Sequence, residues 1–374
     1  MAEPLKLFFS PALVRRLGEA LARVWPNFLR EAFERSASEG LSRMELMDRA
    51  RHIAEALGDA LPSDYPEAVG VLLRSLGPEH QTDELVGTGL SPFFYLPHTL
   101  FVAERGLGHF ELSMEAQYEL TKRFTAEGSI RPFIAKYPDR TFAVFRKSTK
   151  DRNPHVRRLV SEGTRLRLPW AMRVPWLDAH PEQILELLEL LQDDPATLVR
   201  RSVANNLNDL WRVHPKLMIA TCRRWLSGAS QERRALVEHA LRGAIKKGDP
   251  SALALLGFGK APAVKVKGVR FTPRRVAIGG SVTVSFGLEN SLRKGQDVLV
   301  DMVVHFVKAN GRSAPKVFKL KKMTLPVRGK EQISGRVSLA VHTTRKPQPG
   351  KHRVDIQVNG HTFPIGAFAV VKSR

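Results

Sequence analysis

Three carboxylates in the middle of the chain have the type and spacing to do chemistry together. Glu127 and Glu162 each follow an arginine by four residues, after Arg123 and Arg158, and Asp209 belongs to the next similar segment. Carboxylates gathered on a basic surface can stabilise a cation that forms beside a polyanion, and they can orient a water molecule. The sequence therefore predicts Glu127, Glu162 and Asp209 as catalytic residues.

Trp170 begins an aromatic cluster that continues to Trp176, and it can supply an apolar wall to the same site. In this interpretation the ring of Trp170 packs against a bound sugar or base. A structural role is the alternative, in which Glu127 and Glu162 pair with the arginines of adjacent helices and hold those helices together. Spacing alone does not choose between the two roles.

The arginines belong to a pattern that repeats along the middle of the chain. An arginine stands four residues before an acidic or amide residue at Arg123, Arg158, Arg201 and Arg234, in steps of 35, 43 and 33 residues. These steps match two-helix repeats, which bury their apolar faces only by stacking on their neighbours. The pattern predicts an α-solenoid that carries the arginines and carboxylates on one concave surface.

The periodicity of the apolar residues changes near residue 260. Helical spacing runs from about residue 11 to residue 256, as in the stripe Ile184, Leu187, Leu188 and Leu191. Beyond it, apolar and polar residues alternate in segments 282–288, 298–306 and 354–358, the last of which runs into the hairpin-turn dipeptide Asn359-Gly360. We predict an α + β protein of two domains, an α-solenoid over residues 1–259 and an all-β, immunoglobulin-like sandwich over residues 260–374.

Formal charge is concentrated in the second predicted domain. Residues 1–259 hold 36 Lys+Arg and 32 Asp+Glu, a net charge of +4, whereas residues 260–374 hold 23 and 5, a net charge of +18 out of the total of +22. Such a field attracts a polyanion and makes binding dependent on salt. Nucleic acid is therefore the predicted partner. The alternatives are a basic ribosome-like or membrane-surface module and a merely solubilising face.

Several classes of protein are excluded by what the sequence lacks. Cys222 is the only cysteine, which excludes an intrachain disulfide and a zinc site built mainly from cysteines, and which fits a reducing cytosol. Metal-ligand spacing, a phosphate loop and a nucleotide fingerprint are absent, so we predict no metal and no cofactor. We find no signal peptide or membrane span, and Leu13, Leu17 and Leu21 predict a core-facing first helix. We expect a cytoplasmic protein that does not bind membranes.

Three segments resemble the AlkC branch of the AlkC and AlkD superfamily of HEAT-like-repeat DNA glycosylases. They run Ala126-Glu-Gly-Ser-Ile-Arg-Pro-Phe-Ile134, His155-Val-Arg-Arg-Leu-Val-Ser-Glu-Gly-Thr-Arg-Leu-Arg-Leu-Pro-Trp170 and Leu198-Val-Arg-Arg-Ser-Val-Ala-Asn-Asn-Leu-Asn-Asp209. Similarity extends over most of the helical region, and the basic tail looks like the extra domain of one AlkC subgroup. One departure is Gly128-Ser129, where the pattern leads us to expect bulkier residues.

The resemblance implies an enzyme that hydrolyses the N-glycosidic bond of cationic alkylated bases in duplex DNA. These bases include 3-methyladenine and, in this branch, 3-methylcytosine and 1-methyladenine. A cationic base is already a good leaving group, so stabilising the sugar cation is sufficient. The family bends DNA and reaches the sugar at the kink without moving the base into a deep pocket. The resemblance implies a monomer without a cofactor.

Carried over residue by residue, the resemblance implies that Glu127, Glu162 and Asp209 line the active site, with Trp170 as its aromatic wall. Asp209 is the first choice for stabilising the oxocarbenium ion and positioning water. The remaining predicted contacts are basic residues that bind DNA phosphates. They are Arg157, Arg158, Arg200, Arg201, Arg165 and Arg167 in the solenoid, and Lys319, Lys321, Lys322, Arg345 and Lys346 in the tail.

Two functions of other classes compete with this prediction. One is a non-enzymatic helical-repeat scaffold that binds nucleic acid, in which the carboxylates are structural. The other is a protein-interaction scaffold, the commonest use of helical repeats, with the basic tail bound to an acidic partner. Base release separates the enzyme from the first alternative, and strong salt dependence of nucleic-acid binding counts against the second.

Overall fold

The structure is a computed structural model that describes residues 4–80, 91–259, 261–342 and 346–372. It contains two compact units, one made of residues 1–218 and 225–240 and the other of residues 219–224 and 241–374. Within the described residues, α-helices form α1 (Pro11–Val24), α2 (Arg30–Ser38), α3 (Leu46–Ala60), α4 (Tyr65–Arg74), α5 (Leu96–Arg105), α6 (Phe110–Thr121), α7 (Arg131–Lys136), α8 (Pro138–Ser148), α9 (Pro154–Gly163), α10 (Pro175–Ala179), α11 (Pro181–Leu191), α12 (Thr197–Trp211), α13 (Pro215–Leu226), α14 (Gln231–Lys246) and α15 (Pro250–Leu255). Short 3-10 helices cover Leu5–Phe8, Leu41–Arg43 and Ser91–Tyr95.

Most of the helices are short because caps and prolines define where they begin. In α9, Pro154 takes the first helical position and the side chain of Asn153 accepts a hydrogen bond from the backbone N–H of His155. Proline fits this position because it lacks only an N–H that the first turn leaves unpaired anyway. The apolar stripe of α1 is buried, which confirms the core-facing first helix.

Helices α9 and α12 lie side by side, and α9 also packs against α6, α8 and α11. Their apolar faces are fully buried at Val160, Val203 and Leu207. Close packing is helped by Gly163, where an added Cβ would lie 2.9 Å from Cγ2 of Ile130. The arrangement places equivalent ends of two predicted repeat helices next to each other, which confirms the helical-repeat prediction.

The strands form two sheets, with bounds β1 (Val264–Thr272), β2 (Arg275–Ala277), β3 (Ser281–Asn290), β4 (Gln296–Val307), β5 (Ser313–Leu325), β6 (Lys330–Ser338), β7 (Gly350–Val358) and β8 (His361–Val371). Their orders are β1-β3-β6 and β2-β8-β7-β4-β5. All the pairs are antiparallel except β2 with β8. This confirms the immunoglobulin-like, all-β prediction.

Alternation of buried and exposed residues builds the core of these sheets. In β3 and β4 the residues that face the core are fully buried: Val282, Val284, Phe286, Leu288, Val298, Val300, Met302 and Val304. Strands β7 and β8 join at Asn359-Gly360, both of which have positive φ, +46° and +81°. Such angles match the twist of a two-residue hairpin, so the predicted turn is confirmed.

None of the described helices combines the length and the hydropathy needed to cross a membrane.

Candidate active site

Two buried carboxylates meet at the ends of neighbouring helices. Glu162 lies in the last turn of α9 and Asp209 in the last turn of α12, and Arg165 lies just after α9. Arg165 donates from Nη1 to Oε2 of Glu162 at 3.0 Å and from Nε to Oδ2 of Asp209 at 2.9 Å. The side chains of Glu162 and Asp209 are only 6% and 4% exposed. One guanidinium therefore compensates the desolvation of two acids.

Arg158 joins the third carboxylate to this pair. Its Nη2 lies 2.9 Å from Oε2 of Glu127 and 3.6 Å from Oε1 of Glu162. Thr125 also donates to Oε2 of Glu127, at 2.8 Å. The resulting chain, Glu127 to Arg158 to Glu162 to Arg165 to Asp209, is called the acid network below. With three carboxylates and two guanidiniums it carries a formal charge of −1 when all are ionised.

The acid network runs from solvent into the protein. The side chain of Glu127, in the turn before α7, is 26% exposed, in contrast to the buried acids at the far end. Burial acts to lower the pKa of Arg165, but the charges and hydrogen bonds of Glu162 and Asp209 outweigh it and raise that pKa. Arg165 therefore stays cationic and holds both acids in place. Its guanidinium is 14% exposed and faces the acids, a different position from the predicted phosphate contact.

Arg131 supports the acid network from beneath. It is 1% exposed, and its guanidinium donates to three backbone carbonyls, those of Met172 at 2.7 Å, Gly163 at 2.8 Å and Arg165 at 2.9 Å. Burial, with a further contribution from the charge of Arg173, lowers the pKa of Arg131 to about 10. The sequence analysis gave this residue no role. The signal was present, because Arg131 stands within the apolar stretch Ile130–Ile134, where a charged residue has to be paired when it is buried.

Trp170 stands at the edge of a cleft beside Glu127. Its side chain is 65% exposed and its φ is +60°, a region that bulky residues rarely adopt. The cleft has a volume of about 490 Å³ and is lined by Met47, Arg51, Phe93, Leu96, Thr99, Leu100, Ala103, Glu104, Phe124, Thr125, Glu127, Gly128, Ser129, Pro132, Arg158, Leu168, Pro169, Trp170, Ala171 and Met172. A Cβ added at Gly128 would meet no atom within 4 Å. The small residue at that position leaves the cleft wider than a bulky residue would.

The predicted phosphate-binding arginines differ in how they are held. Arg157 binds Asp194 through two hydrogen bonds of 2.6 and 2.9 Å. Arg200 donates to the backbone carbonyl of Asp194, and Arg167 pairs with Asp178 at 2.9 Å. Only Arg201 of the two Arg-Arg pairs is classed as exposed. The structure thus gives Arg157 an intramolecular partner and leaves Arg201 on the surface.

The predicted contacts in the tail are also unequal. Lys319 is paired in register with Asp301 on the neighbouring strand, and Lys321 forms a salt bridge with Glu331. Lys322 lies over the ring of Phe258, 5.5 Å from its centroid. Lys346 is exposed, and Arg345 lies outside the described residues.

The described part of the chain contains no group of three or more His, Cys, Asp or Glu side chains placed to hold a metal ion. The acid network instead has arginines between its carboxylates. Stacked paired helices, a C-terminal immunoglobulin-like sandwich and buried acids bridged by arginine define the class: a HEAT-like-repeat protein with an immunoglobulin-like domain.

Comparisons with known proteins agree with this class. Residues 265–372 match the family model described as the C-terminal Ig-like domain of the uncharacterised protein YhaZ. The uncharacterised protein YhaZ of Bacillus subtilis is 32% identical over 357 residues, which cover 95% of this chain and 96% of that protein. The structure of the Pseudomonas fluorescens alkylpurine DNA glycosylase AlkC, bound to DNA containing an abasic site analog, is 32% identical and aligns with a TM-score of 0.90 over 99% of this chain and 100% of that one. The chain belongs to the AlkC-type family of alkylbase DNA glycosylases, in the subgroup with a C-terminal immunoglobulin-like domain.

Proposed function

We propose that this protein is a DNA repair glycosylase that removes cationic N-alkylated bases from duplex DNA by hydrolysis of the N-glycosidic bond. The observation that carries the proposal is the acid network, which leads from buried Asp209 to partly exposed Glu127 in a chain similar over its whole length to a DNA-bound alkylpurine DNA glycosylase. The substrates in this proposal are 3-methyladenine, 3-methylcytosine and 1-methyladenine.

The geometry suits chemistry in which positive charge develops on the sugar. Arg165 occupies Oδ2 of Asp209, and no described residue donates a hydrogen bond to Oδ1. Likewise Arg158 and Thr125 both contact Oε2 of Glu127, and Oε1 receives no hydrogen bond from a described residue. These oxygens are the ones that can stabilise an oxocarbenium-like sugar and orient the attacking water. We assign the sugar and the water to Asp209, with Glu162 and Glu127 adding negative charge.

The leaving base needs no acid catalyst in this mechanism. A base that carries a positive charge departs as a neutral molecule, so the electron pair of the glycosidic bond neutralises it. The proposal accordingly places no proton donor opposite the carboxylates. It also keeps the base at the DNA kink during cleavage rather than in a deep pocket, with the indole of Trp170 against the sugar or base.

DNA is held by the basic surface in this proposal. Within the helical domain, residues 1–259, the arginines beside the acid network approach phosphates, with Arg201 the most exposed of the Arg-Arg pairs. The tail, residues 260–374, supplies most of the net charge of +22 and the salt-dependent part of the affinity. The protein acts on DNA as a monomer in this scheme.

The decisive experiment measures free base released from duplex DNA that has been treated with a simple methylating agent. Incubation at neutral pH without heat avoids spontaneous depurination, and chromatography identifies each base. Release of 3-methyladenine above the no-enzyme rate supports the proposal. Tight DNA binding without any release would overturn it in favour of a non-enzymatic scaffold, a role that the ion pairs of Arg158 and Arg165 would then serve by joining helices.

A further inference from the structure

The cleft beside Trp170 is larger than contact with a sugar requires. Its volume of about 490 Å³ lies within the range of roughly 300–1,000 Å³ typical of small-molecule sites. Apolar side chains from α3 and α5, Met47, Leu96 and Leu100, form one wall, and Phe124 contributes from the turn before α7. A mostly apolar wall with few polar groups is the usual composition of a site for a small organic ligand.

The opposite wall is an aromatic ring that the fold holds in an unfavourable position. Trp170 combines a positive φ with a mostly exposed indole, and neighbouring Met172 is 47% exposed. The loop cannot relax freely, because Leu168 is buried on one side and Arg131 holds the carbonyl of Met172 on the other. Strain of this kind persists where the surroundings enforce it, and it is found at ligand-binding positions. An exposed, fixed indole is a surface on which a planar ring can stack.

The polar groups of the cleft are mainly acceptors that lack donors. Arg51 is paired with Asp48, and Arg158 with two carboxylates of the acid network. Oε1 of Glu127 has no hydrogen-bond donor among the described residues, as noted above. Burial, and next the charge of Glu55, raise the pKa of Glu104, which shows that nearby arginines do not fully compensate this carboxylate. A ligand that fits therefore presents N–H donors.

We propose that the cleft binds the free alkylated base after its release, with the ring stacked on Trp170 and its exocyclic amine donating to Glu127. This inference rests on the proposed function, because cleavage is what supplies the base. It also provides a place for a product that leaves the DNA without having been in a pocket during cleavage. A planar aminoheterocycle satisfies both features of the cleft, the exposed aromatic face and the unpaired acceptors.

The test uses the DNA-free, full-length protein and titrates it with 3-methyladenine by calorimetry. A second ligand, 6-dimethylaminopurine, keeps the ring but has no exocyclic N–H. We expect saturable binding of 3-methyladenine and at least tenfold weaker binding of the dimethylated compound, because Glu127 then has no donor to accept from. Absence of saturable binding would overturn the proposal, and equal binding of both purines would overturn the role of Glu127.

Filling the cleft provides the matched comparison. Leu100→Trp adds a bulky ring to the wall that faces Trp170, whereas Leu190→Trp makes the same change at a side chain on α11 that is 58% exposed. We expect at least tenfold weaker base binding by Leu100→Trp and no change in Leu190→Trp. Circular dichroism and DNA affinity verify that both variants fold. If Leu100→Trp binds the base as the unmodified protein does, the cleft is not the site.

The two proposals fail separately. Base binding is measured without DNA, so a protein that releases base from DNA but does not bind the free base retains the glycosylase proposal and loses the product site. A protein that binds free 3-methyladenine in the cleft but releases none from DNA retains the site and loses the glycosylase proposal. In that case the cleft binds aminoheterocycles from another source.

Discussion

Buried carboxylates occur in both units of this protein, and the two units treat them differently. In the helical unit, Glu162 and Asp209 share Arg165 at hydrogen-bonding distance. In the sheet unit, Asp301 on β4 is 3% exposed, and its Oδ1 has no hydrogen-bond partner among the described residues. Burial raises the pKa of Asp301 to about 6, although the charges of Lys319 and Lys246 act in the opposite direction.

The difference shows what a buried arginine contributes. Removing a carboxylate from water disfavours its charged form, and a hydrogen-bonded cation restores that form. The acid network has such cations, so its carboxylates can remain negative where a sugar cation is to be stabilised. Asp301 has lysines at a distance and no hydrogen bond to Oδ1, so it tends towards the neutral acid. A usable negative charge in a protein interior therefore requires a partner in contact.

The largest expected effect comes from removing that partner. Arg165→Ala leaves Glu162 and Asp209 buried next to each other without a shared cation, and we expect a loss of about 3–5 kcal/mol in the free energy of unfolding. Urea unfolding measures the loss, with Arg212→Ala, an exposed arginine after α12, as the control. A loss below about 1 kcal/mol would mean that the acids do not depend on Arg165.

Removing the charge of one acid tests the chemistry rather than the stability. Asp209→Asn keeps the shape of the side chain, so we expect DNA binding to persist while single-turnover base release falls by about a hundredfold or more, equivalent to about 3 kcal/mol in the barrier. Asp193→Asn, an exposed carboxylate paired with Arg233, is the matched control. Unchanged release would remove Asp209 from the mechanism.

The unpaired acid predicts a stability change of the opposite sign. Because its pKa is raised in the folded protein, Asp301 binds more protons when folded, so its contribution to stability falls as the pH rises from about 4 through about 6. Asp301→Asn should therefore stabilise the protein by about 2–3 kcal/mol at pH 8 and have little effect at pH 4.

Calorimetric unfolding at these two pH values measures the difference for Asp301→Asn. The control is Asp297→Asn, an exposed aspartate on the same strand, which should show no such pH dependence. A destabilising effect of Asp301→Asn at pH 8 would mean that the carboxylate of Asp301 is better compensated than its contacts indicate.

The smallest effect extends the comparison from acids to arginines. Exposed Arg201→Gln should reduce the slope of log affinity against log salt by about one, as expected for one lost phosphate contact. Arg157→Gln should instead reduce stability, because Asp194 would lose both of its hydrogen bonds from the guanidinium of Arg157. Filter-binding titrations at several salt concentrations distinguish them. The reverse result would assign the phosphate contact to Arg157.

Much of the fold could be predicted because periodicity is a local property. The stripe on α11 and the alternation in β3, β4 and β7 are buried as predicted. Asn359-Gly360 likewise forms its hairpin, because only a few residue types tolerate the backbone angles that this turn requires. The partner of each arginine could not be predicted in this way. Arg165 was expected to face phosphate, and the structure places it between two acids that are distant in sequence.

The sequence by itself determined the helical repeats, the strands, the basic tail and the set of carboxylates, because each depends on residue type and short-range spacing. Only the tertiary structure decided which side chains meet. It brings Arg165 to Asp209, 44 residues away, and places Arg131 under the loop that carries Trp170. It also leaves Asp301 without a partner for Oδ1. Pairing and desolvation depend on packing between distant segments, and they decide which buried charges persist.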